Sequence, residues 1–240
     1  MSNLPLQNIR VVDHTIAWAG PQATSLLADM GAEVIKVESC NRPDIARSFT
    51  LIGEVDKPWE RGPWFVYLNR NKLGITLDLG KKEGKELYLK LVKVSDVVID
   101  NFTPRVMPNL GLDYEELKKV KPDIIVLHQP GYGTSGPYRD APAFGDCINA
   151  FSGLDSITGY PDRLMRPCIA YGDPTSGFAA ALAVLAALHY RSLTGKGQLI
   201  DVSHLEIVSK AMDGLLDYAM NGKIQKRIGN RDATMAPQGC

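Results

Sequence analysis

The sequence predicts an α/β protein: a Rossmann-like open, mostly parallel sheet with helices on both faces. Three observations carry this. Short β-rich runs alternate with helix-length segments almost from the first residue, glycine and proline punctuate the joints, and the intervening helices are long enough to cross between parallel strands. With 240 residues, 45% of them apolar, the chain is long enough to bury a substantial core in one large domain or two modest ones.

Ile9–Asp13 is the first strand, a β-rich run closed by an acidic residue. Gly20-Pro21 opens a helical stretch from Gln22 to Met30, Gly31 stops it, and Ala32–Glu38 is the next strand, which completes a βαβ unit. Ser39 to Asn71 is loop-rich, with Pro43, Pro58 and Pro63. Its tryptophans, Trp59 and Trp64, argue for an ordered, functional loop. Alternation resumes with a strand at Gly74–Leu79, an amphipathic helix at Lys82–Val94, a strand at Asp96–Asp100, a helix at Tyr114–Val120 and a strand at Asp123–His128. Phe144–Ile157 reads as a helix, followed by a turn region and a helix from Pro174 to about Ser192. Gly195-Lys-Gly197 ends that helix, Gln198–Val202 is a strand, and a last helix runs from about His204 to Met220. In parallel sheets ligands gather at the carboxyl ends of strands. The segments to watch are therefore Thr15–Gly20, Glu38–Arg47, Asn101–Arg105 and Gln129–Tyr138.

Charge narrows the function classes. Lys plus Arg and Asp plus Glu each number 27, a formal net charge of zero, so no basic excess marks the chain for nucleic acid or an anionic membrane. The longest purely apolar run, Phe178–Leu188, falls short of a membrane span, and the first residues lack the pattern of a signal peptide. A cytoplasmic protein is expected. Cys40, Cys147, Cys168 and Cys240 share no short spacing, and neither do His14, His128, His189 and His204. The pattern argues against a disulfide framework or a metal site.

Several segments could carry chemistry. Asp173, in Tyr171-Gly-Asp-Pro-Thr-Ser-Gly177, reads locally as a helix N-cap with Pro174 at the first helical position. The same placement suits a nucleophile, because a carboxylate at a helix N-terminus is expected to stay ionised and face the crevice. Gly20-Pro21 lacks the G-x-G-x-x-G spacing of a dinucleotide site, and Gly131–Pro137 lacks the Lys-Ser/Thr of a P-loop. Asn101-Phe-Thr-Pro-Arg105 offers an amide, an aromatic face and a guanidinium, a set suited to an adenine nucleotide or a phosphate. Asn69–Lys72 is a second cluster of donors. Solvated surface is the more common meaning of either cluster alone, and His128 at a strand end is more often structural than a base.

Taken in order, the segments resemble the family III CoA-transferases, the CaiB/BaiF group. The resemblance rests on Ile9–Asp13 with Ala19-Gly-Pro21, Leu27–Glu38, Asn69–Lys72 with Thr76–Leu79, and Asp96–Phe102. It continues through Gly111–Tyr114, Gly131-Tyr-Gly133 with Gly136-Pro137, Gly172-Asp173 and Thr194–Gln198, and so covers essentially the whole chain. It implies a CoA-transferase in which Asp173 attacks an acyl-CoA thioester, through an aspartyl anhydride and then an aspartyl-CoA thioester. It further implies CoA contacts at Ala19, Asn69, Arg70, Asn71, Lys72, Asn101, Phe102, Thr103, Arg105, Gly131 and Tyr132. No permanently bound cofactor is implied: a CoA thioester is a substrate, and a carboxylic acid is the acceptor. The expected partner is a second copy in an interlocked homodimer, or a related subunit in a heteromer.

Departures from the family pattern refine this. Trp18 stands where formyl-CoA transferases carry a Gln against the reacting acyl group, which points away from formyl or oxalyl chemistry. Ser39 and Pro130 replace an Arg and a Lys, and Asn109 stands at another basic position with Arg105 nearby. Asn101–Met107 with Gly111–Tyr114 most resembles the benzylsuccinate-type branch, which implies a bulkier acid. Residues 1–220 are expected to form an incomplete large CoA-binding domain, and 221–240 the start of a linker toward a small domain, so that the chain is a fragment of a longer product. The alternatives are an acyl-CoA racemase of the same superfamily and a non-catalytic CoA-binding subunit. The racemase pairs its Asp with a His where this chain has Phe144 or Asp146.

Overall fold

The computed structural model describes residues 4–48, 56–167, 169–210 and 212–231, with the side chains of Asp213 and Leu216 outside that set. Cys168, Cys240, part of the expected 39–71 loop and the end of the expected linker therefore lie outside the described residues.

Six parallel strands form the main sheet among the described residues: β1 (Arg10–Asp13), β2 (Glu33–Glu38), β3 (Lys72–Thr76), β4 (Val97–Asp100), β5 (Ile125–His128) and β8 (Leu199–Asp201). They stand in the order β3-β2-β1-β4-β5-β8. The chain winds outward from β1 in one direction and from β4 in the other, so a crevice opens at the carboxyl ends of these two adjacent strands. Along the chain between β5 and β8 lies an antiparallel hairpin, β6 (Gly159–Tyr160) and β7 (Arg163–Leu164), in the segment expected to be a turn region.

The strands β1, β4 and β5 are buried on both faces, which is why they read as continuous Val/Ile runs. On one face α1 (Ala19–Asp29) and α9 (Gly172–Thr194) cover Val11, Val34, Ile99 and Leu127, using Leu27, Ala180 and Val184. On the other, α4 (Lys82–Lys93), α5 (Val106–Asn109) and α6 (Tyr114–Val120) cover Val12, Val98 and Val126, with Tyr88, Met107 and Leu117. By length and composition α9 is apolar enough to cross a membrane; here its inner face packs along α1. Small residues permit the contact, because a Cβ on Gly177 would stand 2.8 Å from the Ala19 carbonyl oxygen.

Local chemistry sets the element ends. Asp113 caps α6, its Oδ1 accepting from Glu115 N at 3.0 Å and Glu116 N at 3.2 Å. Gly195 closes α9 at φ +71°, its N–H donating to the Arg191 carbonyl. Several boundaries differ from expectation, among them the following. The helix α1 starts at Ala19, ahead of Gln22, because Pro21 is tolerated in a first turn. The strand β3 begins at Lys72, whose side chain is anchored inward on Asp13. Phe144–Ile157 divides into α7 (Gly145–Phe151) and α8 (Leu154–Ile157) at Gly153, where φ is +89°. The final helix divides into α10 (His204–Lys210) and α11 (Asp213–Asn221), with Met212 in an extended conformation between them. Within the former loop interval lie a 3-10 turn at Ile45–Ser48 and two short helices, α2 (Pro58–Arg61) and α3 (Pro63–Leu68).

Gly84, in the first turn of α4, provides a test of this packing. Replacing a helical glycine by alanine ordinarily gains about 1 kcal/mol. A Cβ at Gly84, however, would fall 2.0 Å from the Asp78 carbonyl oxygen, a backbone atom that cannot swing aside. Gly84→Ala is therefore expected to lose about 1–3 kcal/mol, read as a lower urea midpoint; an unchanged or raised midpoint would contradict the close approach.

Candidate active site

The loop from β1 to α1 occupies the crevice and is held from below by buried charge. Asp13 accepts from Thr15 N at 2.8 Å, Thr24 Oγ1 at 2.8 Å and Lys72 Nζ at 3.0 Å. Lys36 Nζ donates to the Thr15 carbonyl at 2.6 Å and lies 2.9 Å from Asp44 Oδ2. Burial would raise the Asp13 carboxyl, but the ammonium groups of Lys72 and Lys36 outweigh it and hold the acid well below the usual range. Lys72 is lowered to about 8 by its own burial, against the pull of Asp13.

Beside this loop lies a cavity of about 360 Å³. Its walls come from Ala17 and Trp18, from Ile45 and Ala46 of the 3-10 turn, from Trp64 and Leu68 of α3, and from Phe144 with Ile169 and Ala170. Trp18 and Trp64 pack with ring centroids 4.2 Å apart. Two carboxylates, Asp146 and Asp173, are the charged groups of an otherwise apolar lining.

Asp173 is the second residue of α9, not its N-cap: Tyr171 holds that position, and no side chain caps the helix there. Instead, Asn149 Oδ1 on α7 accepts from Gly172 N at 3.2 Å, a partner supplied across the helix pair. The Asp173 carboxylate packs over Gly145, where a Cβ would stand 2.1 Å from Oδ2. The expectation that Asp173 stays ionised also needs correction. Burial, reinforced by Asp146 and opposed by the Gly145 N–H, raises its carboxyl from 3.8 to about 7. A helix N-terminus favours the anion by about 2 kcal/mol at most, less than the roughly 4 kcal/mol that this rise represents.

A second, larger cavity of about 640 Å³ opens on the opposite face of the sheet, lined among others by His14, Glu38, Arg42, Phe102, Met107 and Asn109. Ser39 also lines it. Burial lowers His14 to about 4, so it is neutral near pH 7. Arg47 grips Glu38 through Nε at 3.0 Å and Nη2 at 2.6 Å and lies 3.6 Å above the Phe65 ring, so it links Glu38 of the second cavity to α3, whose Trp64 and Leu68 line the first.

The other residues singled out in the sequence fall in distinct places. Phe102 lines the second cavity. Asn101 grips the β1–α1 loop, accepting from Ile16 N at 2.9 Å and donating to its carbonyl at 2.8 Å. The Thr103 carbonyl accepts from Val106 N, and Arg105, exposed, precedes α5. Ala19 is buried at the start of α1. Lys72 also donates to Asn69 Oδ1 and the Pro21 carbonyl, while Arg70 and Asn71 bond Asp29 at the end of α1. The Gly131 carbonyl accepts from Leu205 N, and Tyr132 packs edge-on against Phe151. His128 Nδ1 lies 2.6 Å from Asp100 Oδ2, a pairing that overcomes burial and raises the imidazole. The cavity wall contributed by Ile45, Ala46, Trp64 and Leu68 carries no motif in the sequence, although the aromatic 39–71 interval signals it.

Asp173 gives a pH test. Its folded value lies above its unfolded one, so its contribution to stability is full below about pH 4 and is lost as pH rises through about 7. Asp173→Asn is expected to melt higher than the parent at pH 8, by up to a few kcal/mol in stability, with the gap closing toward pH 4.5. Equal gaps at both pH values would contradict the buried, acid-flanked placement.

The profile of CoA-transferase family III matches residues 6–240. The chain is 39% identical over 235 residues to the succinyl-CoA--D-citramalate CoA-transferase of Chloroflexus aurantiacus, covering 97% of this chain and 58% of that protein. It is 37% identical over 239 residues to the succinyl-CoA--L-malate CoA-transferase alpha subunit of the same organism, covering 98% of this chain and 55% of that one. Among solved structures, a CAIB/BAIF family protein from Brucella suis superposes with a TM-score of 0.89 at 35% identity, covering 98% of this chain and 63% of its own. The chain thus spans less than two thirds of the length of the relatives it matches.

Proposed function

The chain belongs to CoA-transferase family III, and from that premise we propose that it contributes the nucleophile and the CoA-binding half of an enzyme moving CoA from an acyl-CoA to a carboxylic acid. The observation that carries the reading is Asp173, a carboxylate set in an apolar cavity at the start of a long helix. In the proposed cycle an Asp173 oxygen attacks the thioester carbonyl, the C–S bond breaks, and CoA thiolate leaves an aspartyl mixed anhydride. The thiolate then attacks the aspartyl carbonyl and expels the donor acid. The acceptor carboxylate attacks the resulting aspartyl-CoA thioester, and the released thiolate takes the acceptor's acyl group, which regenerates Asp173. Splitting transfer between two poor nucleophiles into covalent steps is what such an intermediate offers.

The apolar walls keep bulk water from the anhydride, which would otherwise hydrolyse. The nucleotide half of CoA is assigned to the second cavity, where Phe102 offers an aromatic face and Arg42 a cation. The names of the Chloroflexus relatives support succinyl-CoA as the first donor to try; the benzylsuccinate-like segment supports including bulkier acids among acceptors. A second copy or a related subunit is the proposed partner. The outer face of α9, with Phe178, Leu182 and Leu193 exposed, is an apolar surface of the kind that partners cover.

Asp173→Ala in the complete protein is expected to reduce CoA transfer below about one thousandth of the parent rate. Binding of the CoA thioester should persist, because most of its binding energy comes from groups remote from the reacting carbon. Hydroxylamine trapping during turnover should label the peptide containing Asp173. Retained transfer, or label on another acid, would remove Asp173 from the role. Racemase chemistry needs proton carriers on either side of an α-carbon, and where the resemblance places the racemase's His the cavity presents Phe144 and Asp146, with no imidazole in its lining among the described residues. No solvent deuterium is expected at C2 of a 2-methylacyl-CoA; mass spectrometry showing exchange at turnover rates would favour the racemase instead.

A further inference from the structure

Asp44 takes no part in the chemistry just described, yet its side chain is fully buried and one of its oxygens reaches two walls of the apolar cavity. Oδ1 accepts from Ala17 N at 2.9 Å and from Ala46 N at 2.9 Å, and both alanines line the space that contains Asp173. Oδ2 faces Lys36 Nζ at 2.9 Å, with side-chain exposures of 0% and 3%. The backbone N–H of Asp44 donates in turn to Glu38 Oε1 at 3.0 Å, and Glu38 is gripped by Arg47.

What Asp44 holds is a conformation the chain would not choose. Ala17 sits at φ +65°, in the left-handed region that disfavours any residue with a Cβ. Such an outlier persists only where its surroundings over-determine it, and such sites cluster where function needs a fixed geometry. Asn101 fixes Ile16 through both its N–H and its carbonyl, but the N–H of the strained residue itself donates to Asp44. The following residue is Trp18, which turns the chain into α1 and packs on Trp64.

We propose that Asp44 is a positioning residue: from behind the cavity it fastens the Ala17–Trp18 wall to the Ile45–Ala46 wall, and so fixes where an acyl group sits relative to Asp173. The kinetic consequence rests on the CoA-transferase reading; the geometric one does not.

A cycle of variants in the complete protein separates positioning from plain stability. In Asp44→Asn a single carbonyl oxygen must serve both the two N–H groups and Lys36, so one grip is lost. The expected result is at least a tenfold fall in kcat with succinyl-CoA, with the Kd for free CoA changed less than twofold. Adding Ala17→Gly to Asp44→Asn should recover at least threefold of that loss, because glycine adopts the left-handed conformation unaided. The near-UV circular dichroism of the Trp18–Trp64 pair should fade in Asp44→Asn and return in the Asp44→Asn, Ala17→Gly pair.

If Asp44→Asn does not fold, Lys36→Met with Asp44→Leu takes its place. That pair removes the acceptor without leaving a lone buried charge, and the same losses and the same rescue by Ala17→Gly are expected. A fall in melting temperature alone, with kcat of the folded protein and the tryptophan signal unchanged, overturns the proposal. Equal losses with and without the Ala17→Gly change also overturn it. Should the parent transfer CoA to no acid tested, the functional reading fails, and the tryptophan signal and its rescue alone decide the positioning role.

Discussion

Four buried charges hold the crevice end of this fold together. Asp13 ends β1, Lys36 lies on β2, Lys72 opens β3, and Asp44 sits in the segment that follows β2. Ion pairs of 3.0 Å and 2.9 Å join Lys72 to Asp13 and Lys36 to Asp44. Burying them costs solvation, and a well-packed apolar set of similar volume could be as stable. Removing one partner, by contrast, typically costs about 3–5 kcal/mol, because the other is left charged and dry. The group's specific contribution is registry. Its hydrogen bonds run to Thr15, Thr24, Pro21 and Ala17, so it aligns three strands with one loop at the place where the chain's winding direction reverses.

A second constraint carries this order to the acid. The helix α9 delivers Asp173 only because it lies close along α1, and that approach depends on small residues: Gly177 against the Ala19 carbonyl, with Ala180 and Ala181 in the shared core. At its far end Arg191 Nη2 bonds Asp96 Oδ1 at 2.7 Å, tying the helix to the segment that leads into β4. The first turn of α9 is thus located from both ends, and Asn149 on α7 completes its backbone bonding.

Much of this arrangement is legible in the sequence, and the gaps have physical causes. The strands β1, β2, β4 and β5 are runs of β-branched residues bounded by breakers, so local pattern and tertiary outcome agree. The start of β3 is hidden because Lys72 looks like a surface residue until its partner on β1 is known. The helical stretch from Phe144 to Ile157 shows no local interruption except Gly153, and only the left-handed conformation there divides it. Asp173 stands out by its position before Pro174, yet its carboxyl is raised first by burial, in a cavity walled in part from the aperiodic 39–71 interval, and then by Asp146, 27 residues earlier. Periodicity cannot convey a surface made by a few residues from each of several segments.

The contact between Asp173 and Gly145 makes the two oxygens of one carboxylate unlike each other. Oδ2 rests over peptide backbone where even a methyl group would not fit, so a reacting carbon cannot approach it from that side. In the reaction proposed above, which would repeatedly make and break bonds to this acid, heavy oxygen brought in by substrates would not spread evenly over both positions. On that proposal the carboxylate would keep a memory of which atom it last used, written in isotope and set by the absence of a side chain at Gly145.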